Sequence, residues 1–493
     1  MDVKEAGQFA HFWVALFEAI GIVCVAAAGL AVPACAQDRN QNPSSTANAF
    51  YGSITKPGVS EETLKLSLDD AIRRGLENNL GLREAESGEK QLQGEKNQAL
   101  QEFLPTINLS GGTGVFQHNL AALGFGPGTL DQFEGLFPDG PPAGFSLITK
   151  DDLTHGEVSL RQTLFSGVVI AGWKAAGAAA RSAYFQKMSA RGEVVQQVAT
   201  TYLRVIADAS EVDNATALMK SDEVALQHAR DAHEAGTGLK LDELRAQVQL
   251  QSQQRTLIAA QNAEEKDLIL LKREIGIDPG QKIVLTDPAP YTELAEQTPA
   301  EVRAIAYKNR QDYQNLQNQV IEIRAIHNAY RAQRLPSLSF NGYYGVDKVS
   351  GSPSHGVFNA IGTLNIPIFR EANIRGEVDA SAAQLAAVNA QLDSLRSQID
   401  QQVRSALLDV DAAKQLVDVS QSNVELAGQT VRDVTERVNA GVDDNLPLVT
   451  AQSSLATAQT NHVRSLYQYN LSKLALARSA GVIEQQYRAY LGR

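Results

Sequence analysis

Residues 399–438, with the sequence IDQQVRSALLDVDAAKQLVDVSQSNVELAGQTVRDVTERV, carry the repeat that decides the fold. Apolar or small side chains recur there at alternating steps of four and three residues. A spacing that averages about 3.5 residues is typical of a helix that packs in a coiled coil. It predicts a long helix over residues 371–440, which would extend for roughly 100 Å at about 1.5 Å per residue. The members of this seam are Ile399, Val403, Ala406, Val410, Ala413, Val417, Ser420, Val424, Ala427, Val431, Val434 and Val438.

A similar seam in the first half of the chain predicts a second long helix, over residues 171–235. Its members are Val195, Val198, Tyr202, Val205, Ala209, Val212, Thr216 and Met219. Other apolar residues lie beside the two seams, as expected of helices that have neighbours on two sides. They are Leu203, Ile206, Leu407, Leu408, Leu416 and Leu426.

The two seams belong to a duplicated plan, because matching landmarks recur in the same order in both halves, and the copies differ in length mainly between the Leu-Pro pair and the Phe. The spacing is 231 residues between Leu104-Pro105 and Leu335-Pro336, 204 between Phe165 and Phe369, and 205 between Gly236 and Gly441. We predict two structural repeats, 64–276 and 298–481, joined by a linker at 277–297. A polar segment, 37–63, would precede them and a carboxyl-terminal segment, 482–493, would follow.

Each repeat is predicted to contain a helix, two strands, a long helix, a turn and another helix. The first helix would run unbroken from Leu64 to Phe103 and from Pro299 to Arg334, because the residue before a proline leaves the helical conformation. The predicted strands are 105–117, 154–165, 336–347 and 357–369, and their lengths suit tilted membrane strands. The fold class is therefore mainly α with a membrane β-barrel, built from a duplicated helix-strand-strand-helix-helix repeat.

Residues 1–36 are predicted to form a signal peptide. The 14-residue apolar run Ala19–Val32 is too short to span a bilayer and precedes a small-residue cleavage site after Ala36. A competing cleavage before Cys35 would leave that cysteine as a lipid-bearing amino terminus. Cys35 is therefore a candidate lipidation site.

Charge and hydropathy restrict the partners. The formal net charge of −12 argues against nucleic acid. No later stretch approaches 18 consecutive apolar residues, so any membrane crossing would use strands. Four strands cannot close a barrel, and an open sheet edge in lipid leaves backbone groups unpaired. The chain is therefore expected to oligomerise, and this reasoning leaves a dimer with eight strands and a trimer with twelve equally open.

Nearly the whole chain after the leader resembles the TolC-like outer-membrane efflux family. The most specific marks are two turns, 233–237 (HEAGT) followed by Leu241, and 437–442 (RVNAGV) followed by Leu446. The resemblance implies a homotrimer in the bacterial outer membrane, with a twelve-stranded barrel in lipid and a helical barrel in the periplasm. It also implies docking of a periplasmic adaptor protein and an inner-membrane pump, most similar to the resistance-nodulation-division type.

The resemblance places the functional residues at the two turns. Those expected to form the periplasmic tip and to dock the adaptor are Gly236, Thr237, Leu241, Gly441, Val442 and Leu446. Candidate gate residues are Asp242, Asp443 and Asp444. By symmetry the last two could form an acidic ring that favours cations, while a solvated turn explains them as well. Pro447 stands where some members of the family carry a gate aspartate.

Enzyme motifs are not found. The eight histidines are scattered, and we predict no catalytic residue, cofactor or metal site. The sequence favours a passive export duct. Two alternatives stay open: the outer-membrane component of a one-step (type I) protein secretion system, and a non-conducting periplasmic coiled-coil scaffold.

Overall fold

The first repeat is built around one very long helix. It consists of β1 (Leu64–Leu66), α1 (Leu68–Asn78), α2 (Leu80–Gln101), β2 (Thr106–Asn119), β3 (Ile148–Phe165), α3 (Gly167–Glu234) and α4 (Lys240–Glu274). The structure is a computed structural model, and it describes residues 49–55, 58, 62–119, 122, 148–288, 291–349, 351–440 and 445–492. The predicted signal peptide and Cys35 lie outside these residues.

The second repeat follows the same order. Its elements are α5 (Pro299–Asn309), α6 (Gln311–Ala332), β5 (Ser337–Val349), β6 (His355–Asn365), α7 (Glu371–Asn439) and α8 (Asn445–Ser479). Strand β4 (Ile283–Leu285) lies in the linker before them, and α9 (Ile483–Leu491) follows them. Within the described ranges, none of these helices has the length and apolar content that crossing a bilayer requires.

The long strands form one antiparallel sheet in the order β2-β3-β5-β6. Thr106 pairs with Arg161 in the first hairpin, and Ser337 pairs with Asn365 in the second. These two pairs are related by the sequence spacings of 231 and 204, so the two hairpins have the same register. Among the described residues, strands β2 and β6 each have a partner on one side only. The sheet that these residues form is therefore open at both edges.

The helices repeat this side-by-side order. Helix α3 packs against α2 and α4 on one side and against α6 and α8 on the other, whereas α7 packs against α6 and α8. Several residues of the α7 seam are buried, including Ile399, Val403 and Ala413. Off the seam, Leu203 of α3 is buried, but Leu416 of α7 is exposed. This difference follows from position, since α3 has neighbours on both sides within the chain and α7 does not.

The prediction of one unbroken helix before each strand pair is wrong. The first helix is interrupted at Asn79 (φ −64°, ψ 132°), and the second at Arg310 (φ −66°, ψ 121°). Each break packs against a glycine with positive φ, Gly276 or Gly481. An added Cβ would lie 2.8 Å from Asn78 Cβ in one case and 2.7 Å from Arg310 N in the other. The break therefore depends on a contact with residues about 200 positions later in the sequence.

Other element ends differ from the prediction by a few residues. Strand β3 begins six residues earlier than predicted, at Ile148, and α3 begins at Gly167 because Ser166 caps it. Strand β6 ends at Asn365 and not at Phe369. Pro367 has no backbone N–H to donate to the sheet, which explains the early end.

The largest cluster of buried side chains lies where the helix breaks, the linker and α9 meet. The Tyr202 hydroxyl donates to the Leu66 carbonyl at 3.0 Å and to Asp287 Oδ2 at 2.9 Å, which ties α3 to the linker. The Tyr487 hydroxyl of α9 donates to Asp69 Oδ1 at 2.6 Å. The segments that flank the repeats thus hold the junction together.

Candidate functional site

The turn between α3 and α4 is set by a glycine in the left-handed conformation. Gly236 has a φ of 74°, and the next two backbone N–H groups both donate to the Ala232 carbonyl at 2.9 Å. The Thr237 hydroxyl donates to the same carbonyl at 3.1 Å. A Cβ at Gly236 would meet nothing within 4 Å, so the backbone conformation, and not crowding, calls for glycine here.

Charged side chains stiffen the start of α4. Lys240 Nζ donates to Glu243 Oε2 at 2.6 Å, and this hydrogen bond is the main reason that the pKa of Glu243 is lowered. The gate candidate Asp242 lies 3.5 Å from the Arg245 guanidinium. Asp242 therefore has a cation one turn away on its own helix.

An apolar groove of about 460 Å³ lies beside this turn. Leu241, Leu244 and Val248 of α4 line one side and are all exposed, while Leu448 and Val449 of α8 line the other. The three α4 residues recur at helical spacing and so form one stripe. An exposed apolar stripe of this kind is a candidate protein-binding surface. Near it, Gln452 Nε2 donates to Ser221 Oγ at 2.9 Å and joins α8 to α3.

The second turn lies mostly outside the described residues, as do Gly441, Val442, Asp443 and Asp444. Helix α7 ends at Asn439 with the Ala440 N–H donating to the Glu436 carbonyl at 3.0 Å, and α8 includes Leu446. The acidic ring and the docking role of this turn stay predictions.

A family model described as "Outer membrane efflux protein" matches residues 71–276 and 303–482. The chain belongs to this family. The matched segments fall on the two structural repeats, and the predicted TolC-like family membership is confirmed.

Three proteins that are similar to this chain share 14–24% of its residues over the matched segments. The toluene efflux pump outer membrane protein TtgF of Pseudomonas putida is 24% identical over 316 residues, which cover 58% of this chain and 60% of TtgF. The Campylobacter jejuni CmeC outer membrane channel has a TM-score of 0.70 at 14% identity and covers 91% of this chain and 94% of its own. VceC of Vibrio cholerae has a TM-score of 0.68 at 16% identity and covers 84% and 96%. The predicted fold class is confirmed.

The sequence identified some of the residues at the first turn and missed others that line the groove beside it. Leu241 and Asp242 lie in the first turn of α4, directly after the turn that contains Gly236 and Thr237, and the docking and gate roles of these residues stay predictions. The predicted site did not include Val248 or Val449, which line the groove. The helical spacing of Leu241, Leu244 and Val248 would have revealed that stripe. Among the described residues, no group of three or more His, Cys, Asp and Glu side chains could hold a metal ion.

Proposed function

We propose that this chain is the outer-membrane channel of a tripartite efflux system, a passive duct from the periplasm to the exterior. The observation that carries the proposal is the four-stranded sheet with two open edges, found in a chain of the outer membrane efflux protein family. The duct itself performs no chemistry. Energy and cargo selection come from an inner-membrane pump, of the resistance-nodulation-division type.

The open edges support a closed ring of identical chains. Unpaired strand edges are not tolerated in lipid, so β2 of one chain pairs with β6 of another. The two edges are different surfaces, and repeated head-to-tail contact between different surfaces produces a ring. Three copies of the four-stranded sheet supply twelve strands, and the helices continue the ring into the periplasm as a helical barrel. The strand count alone also fits a dimer with eight strands, and membership of the outer membrane efflux protein family is what leads us to propose a homotrimer.

The groove at the first turn supports docking of the periplasmic adaptor protein. Its exposed leucine and valine side chains offer apolar surface that a partner helix would bury. The neighbouring charges, Lys240, Glu243 and Arg245, supply a polar rim of the kind that surrounds protein interfaces.

Ion conductance tests the duct. Purified protein in a planar lipid bilayer is expected to give discrete conductance steps, because a ring of this kind encloses a water-filled lumen. Native-host membranes solubilised without crosslinking should yield the adaptor and a resistance-nodulation-division pump with it. A protein that neither inserts nor conducts would support the scaffold alternative, and co-purification with a type I secretion ATPase would support the secretion alternative.

A matched pair of substitutions tests adaptor docking. Val248→Asp places a charge in the groove, whereas Val224→Asp places the same charge at an equally exposed valine on α3 outside it. In a host strain that lacks the native gene, we expect Val248→Asp to lose resistance to a panel of dyes, detergents and antibiotics while it keeps conductance. Val224→Asp should keep both. Equal resistance of the two variants would contradict docking at this groove.

A further inference from the structure

Three neighbouring strands bring together two histidines and an aspartate that are far apart in the sequence. His155 of β3 pairs with Asp347 of β5, and Asp347 pairs in turn with His355 of β6. Residues directly opposite each other in a sheet project to the same face, and neighbouring strands lie about 4.8 Å apart. The three residues therefore form one row across the sheet, which we call the His-Asp-His row.

The fourth strand leaves space for this row. Gly112 of β2 pairs with His155, and a Cβ at Gly112 would lie 3.1 Å from His155 Cε1. The imidazole ring of His155 thus lies over the glycine, on the side away from Asp347. The row therefore extends over all four strands of the sheet.

The two faces of the sheet differ in polarity. The face of the row carries polar contacts, such as Arg161 Nε donating to Asn341 Oδ1 at 3.1 Å. The opposite face carries large apolar side chains that are 67–83% exposed, namely Leu109, Val115, Tyr344 and Phe358. Membrane barrels turn alternate residues of each strand to lipid and to the lumen. In the proposed ring of chains, the His-Asp-His row therefore faces the lumen.

The row lies at the end of the sheet that is distant from the helices. Asp347 is close to the end of β5, and His355 is the first residue of β6. The helices join these strands at their other ends, next to Ser337 and Asn365. Because the helices lie in the periplasm, the row lies near the mouth of the barrel that opens to the exterior.

The charge of the row changes sign with pH. Imidazole is the side chain that ordinarily gains a proton between pH 8 and pH 5, whereas a carboxylate stays ionised over this range. One aspartate and two histidines therefore give a charge of about −1 per chain at pH 8 and about +1 at pH 5. Three copies triple this change.

The neighbours of the row leave this change uncompensated. Among the side chains that the structure describes, the positions two residues away on the same face hold Ser110 and Gly114 of β2, Leu153 and Glu157 of β3, Gly345 and Val349 of β5, and Val357 of β6. Glu157 is the one titratable group in this set, and Arg161 of opposite charge lies four residues from it on the same face. A third histidine, His118, lies on this face six residues beyond Gly112 and adds to the change.

We propose that three copies of the His-Asp-His row form a selectivity ring in the barrel lumen, which favours cations at pH 8 and anions at pH 5. A ring of charged side chains selects permeating ions by the sign of their charge. An acidic exterior would thus ease the exit of anionic cargo and hinder cationic cargo. The inference rests on the duct in the proposed function and adds a selectivity element at its outer mouth.

Reversal potentials in a planar bilayer test the selectivity ring. In a KCl gradient near 0.1 M, we expect the ratio of K⁺ to Cl⁻ permeability to fall at least about threefold between pH 8 and pH 5. The fall should be smaller near 1 M KCl, because the Debye length decreases from about 10 Å at 0.1 M to about 3 Å at 1 M. This measurement uses the parent protein and needs no substitution.

Matched substitutions assign the effect to the row. His155→Gln combined with His355→Gln should lose most of the pH-dependent change, since glutamine stays neutral and only His118 remains. Asp347→Asn should lower the ratio of K⁺ to Cl⁻ permeability at pH 8 at least about twofold, because it removes the negative charge of the row. Asp152→Asn, an exposed position on the opposite face of β3, should leave this ratio unchanged.

The outcomes separate this inference from the proposed function. A conducting channel whose permeability ratio is independent of pH, or a double histidine variant that keeps the full change, overturns the selectivity ring and leaves the duct standing. Equal effects of Asp347→Asn and Asp152→Asn also overturn it. A parent protein that conducts at no pH overturns the duct itself.

Discussion

Glu274 makes the stability of the fold depend on pH. Its side chain is fully buried at the end of α4, where Gln197 Nε2 donates to Oε1 at 2.8 Å. Burial raises the pKa of Glu274 from its ordinary value of 4.5 to about 7, against the smaller lowering effect of the Gln197 hydrogen bond. Between these two values the folded chain binds more protons than the unfolded chain, so the free energy of unfolding falls as pH rises. One pKa unit corresponds to about 1.4 kcal/mol, and the loss by pH 7 is therefore roughly 3 kcal/mol.

The substitution Glu274→Gln keeps the size of the side chain and removes the titration. We expect the variant to match the parent near pH 5 and to be more stable by up to about 3 kcal/mol at pH 8. The measurement is the thermal midpoint of the helical circular dichroism signal at pH 5–8, at one scan rate and in one detergent.

Asp208 complicates this measurement, because burial and its hydrogen bond with Asp267 raise its pKa to about 7 as well. Glu274→Gln is therefore compared with its parent in an Asp208→Asn background. If the two proteins lose the same stability between pH 5 and pH 8, Glu274 is ionised in the folded chain and the burial argument fails.

Two further substitutions test the junction. Gly481→Ala should lower the free energy of unfolding by at least about 1–2 kcal/mol, since alanine is disfavoured at a φ of 73° and its Cβ would crowd Arg310. The control Gly94→Ala, in open space on α2, should leave the free energy of unfolding unchanged or raise it by up to about 1 kcal/mol. Equal thermal midpoints of the Gly481→Ala and Gly94→Ala variants would contradict this account. Tyr487→Phe removes the hydrogen bond to Asp69 and should lower the free energy of unfolding by about 1–2 kcal/mol, measured by urea unfolding. An unchanged free energy of unfolding would mean that this α9 contact does not stabilise the junction.

The sequence predicts the elements whose signal is long and local. The 3.5-residue seams locate α3 and α7 to within a few residues, because each turn of a long helix repeats the same requirement. The break at Arg310 carries no such signal, whereas Asn79 is a preferred N-cap residue whose side chain accepts a hydrogen bond from the Leu82 N–H. At both breaks Gly276 or Gly481 also packs closely, which is a tertiary contact. Strand β4 pairs with β1 over three residues only, too few for a periodic pattern.

The candidate site also has a part that local sequence predicts and a part that depends on contacts between distant segments. Gly236 was predictable because a glycine after a long helix has a local role as its left-handed cap. The groove beside it was not, since it needs α8 to come close to α4, and their separation along the chain exceeds 170 residues. The pairing of Asp242 with Arg245, by contrast, is local, because the two residues are three positions apart on one helix.

Duplication has preserved geometry at the junction and changed its chemistry. Gln197 and Gln402 occupy equivalent positions, 205 residues apart. Gln197 contacts the end of the helix that packs on the first break, and Gln402 contacts the second break itself. Gln197 donates to the Glu274 carboxylate, whereas Gln402 Oε1 accepts from Arg310 Nη1 at 2.6 Å. An amide can donate or accept, so one residue type serves a buried acid in one repeat and a base in the other.

Comparing the two repeats also shows a difference in polarity between the contact that joins them within the chain and the equivalent positions at the open edge. The in-chain contact uses the Glu211–Arg464 ion pair and the Ser221–Gln452 hydrogen bond, and their equivalents at the open edge include Leu416 and Leu426, both exposed in one chain. Contacts inside a chain form at high effective concentration, so a rim-exposed ion pair worth about 0–1 kcal/mol is sufficient. Association of separate chains must also offset the loss of translational and rotational freedom, which requires apolar burial. In the proposed homotrimer, leucine at these two exposed positions would supply apolar surface for such an association.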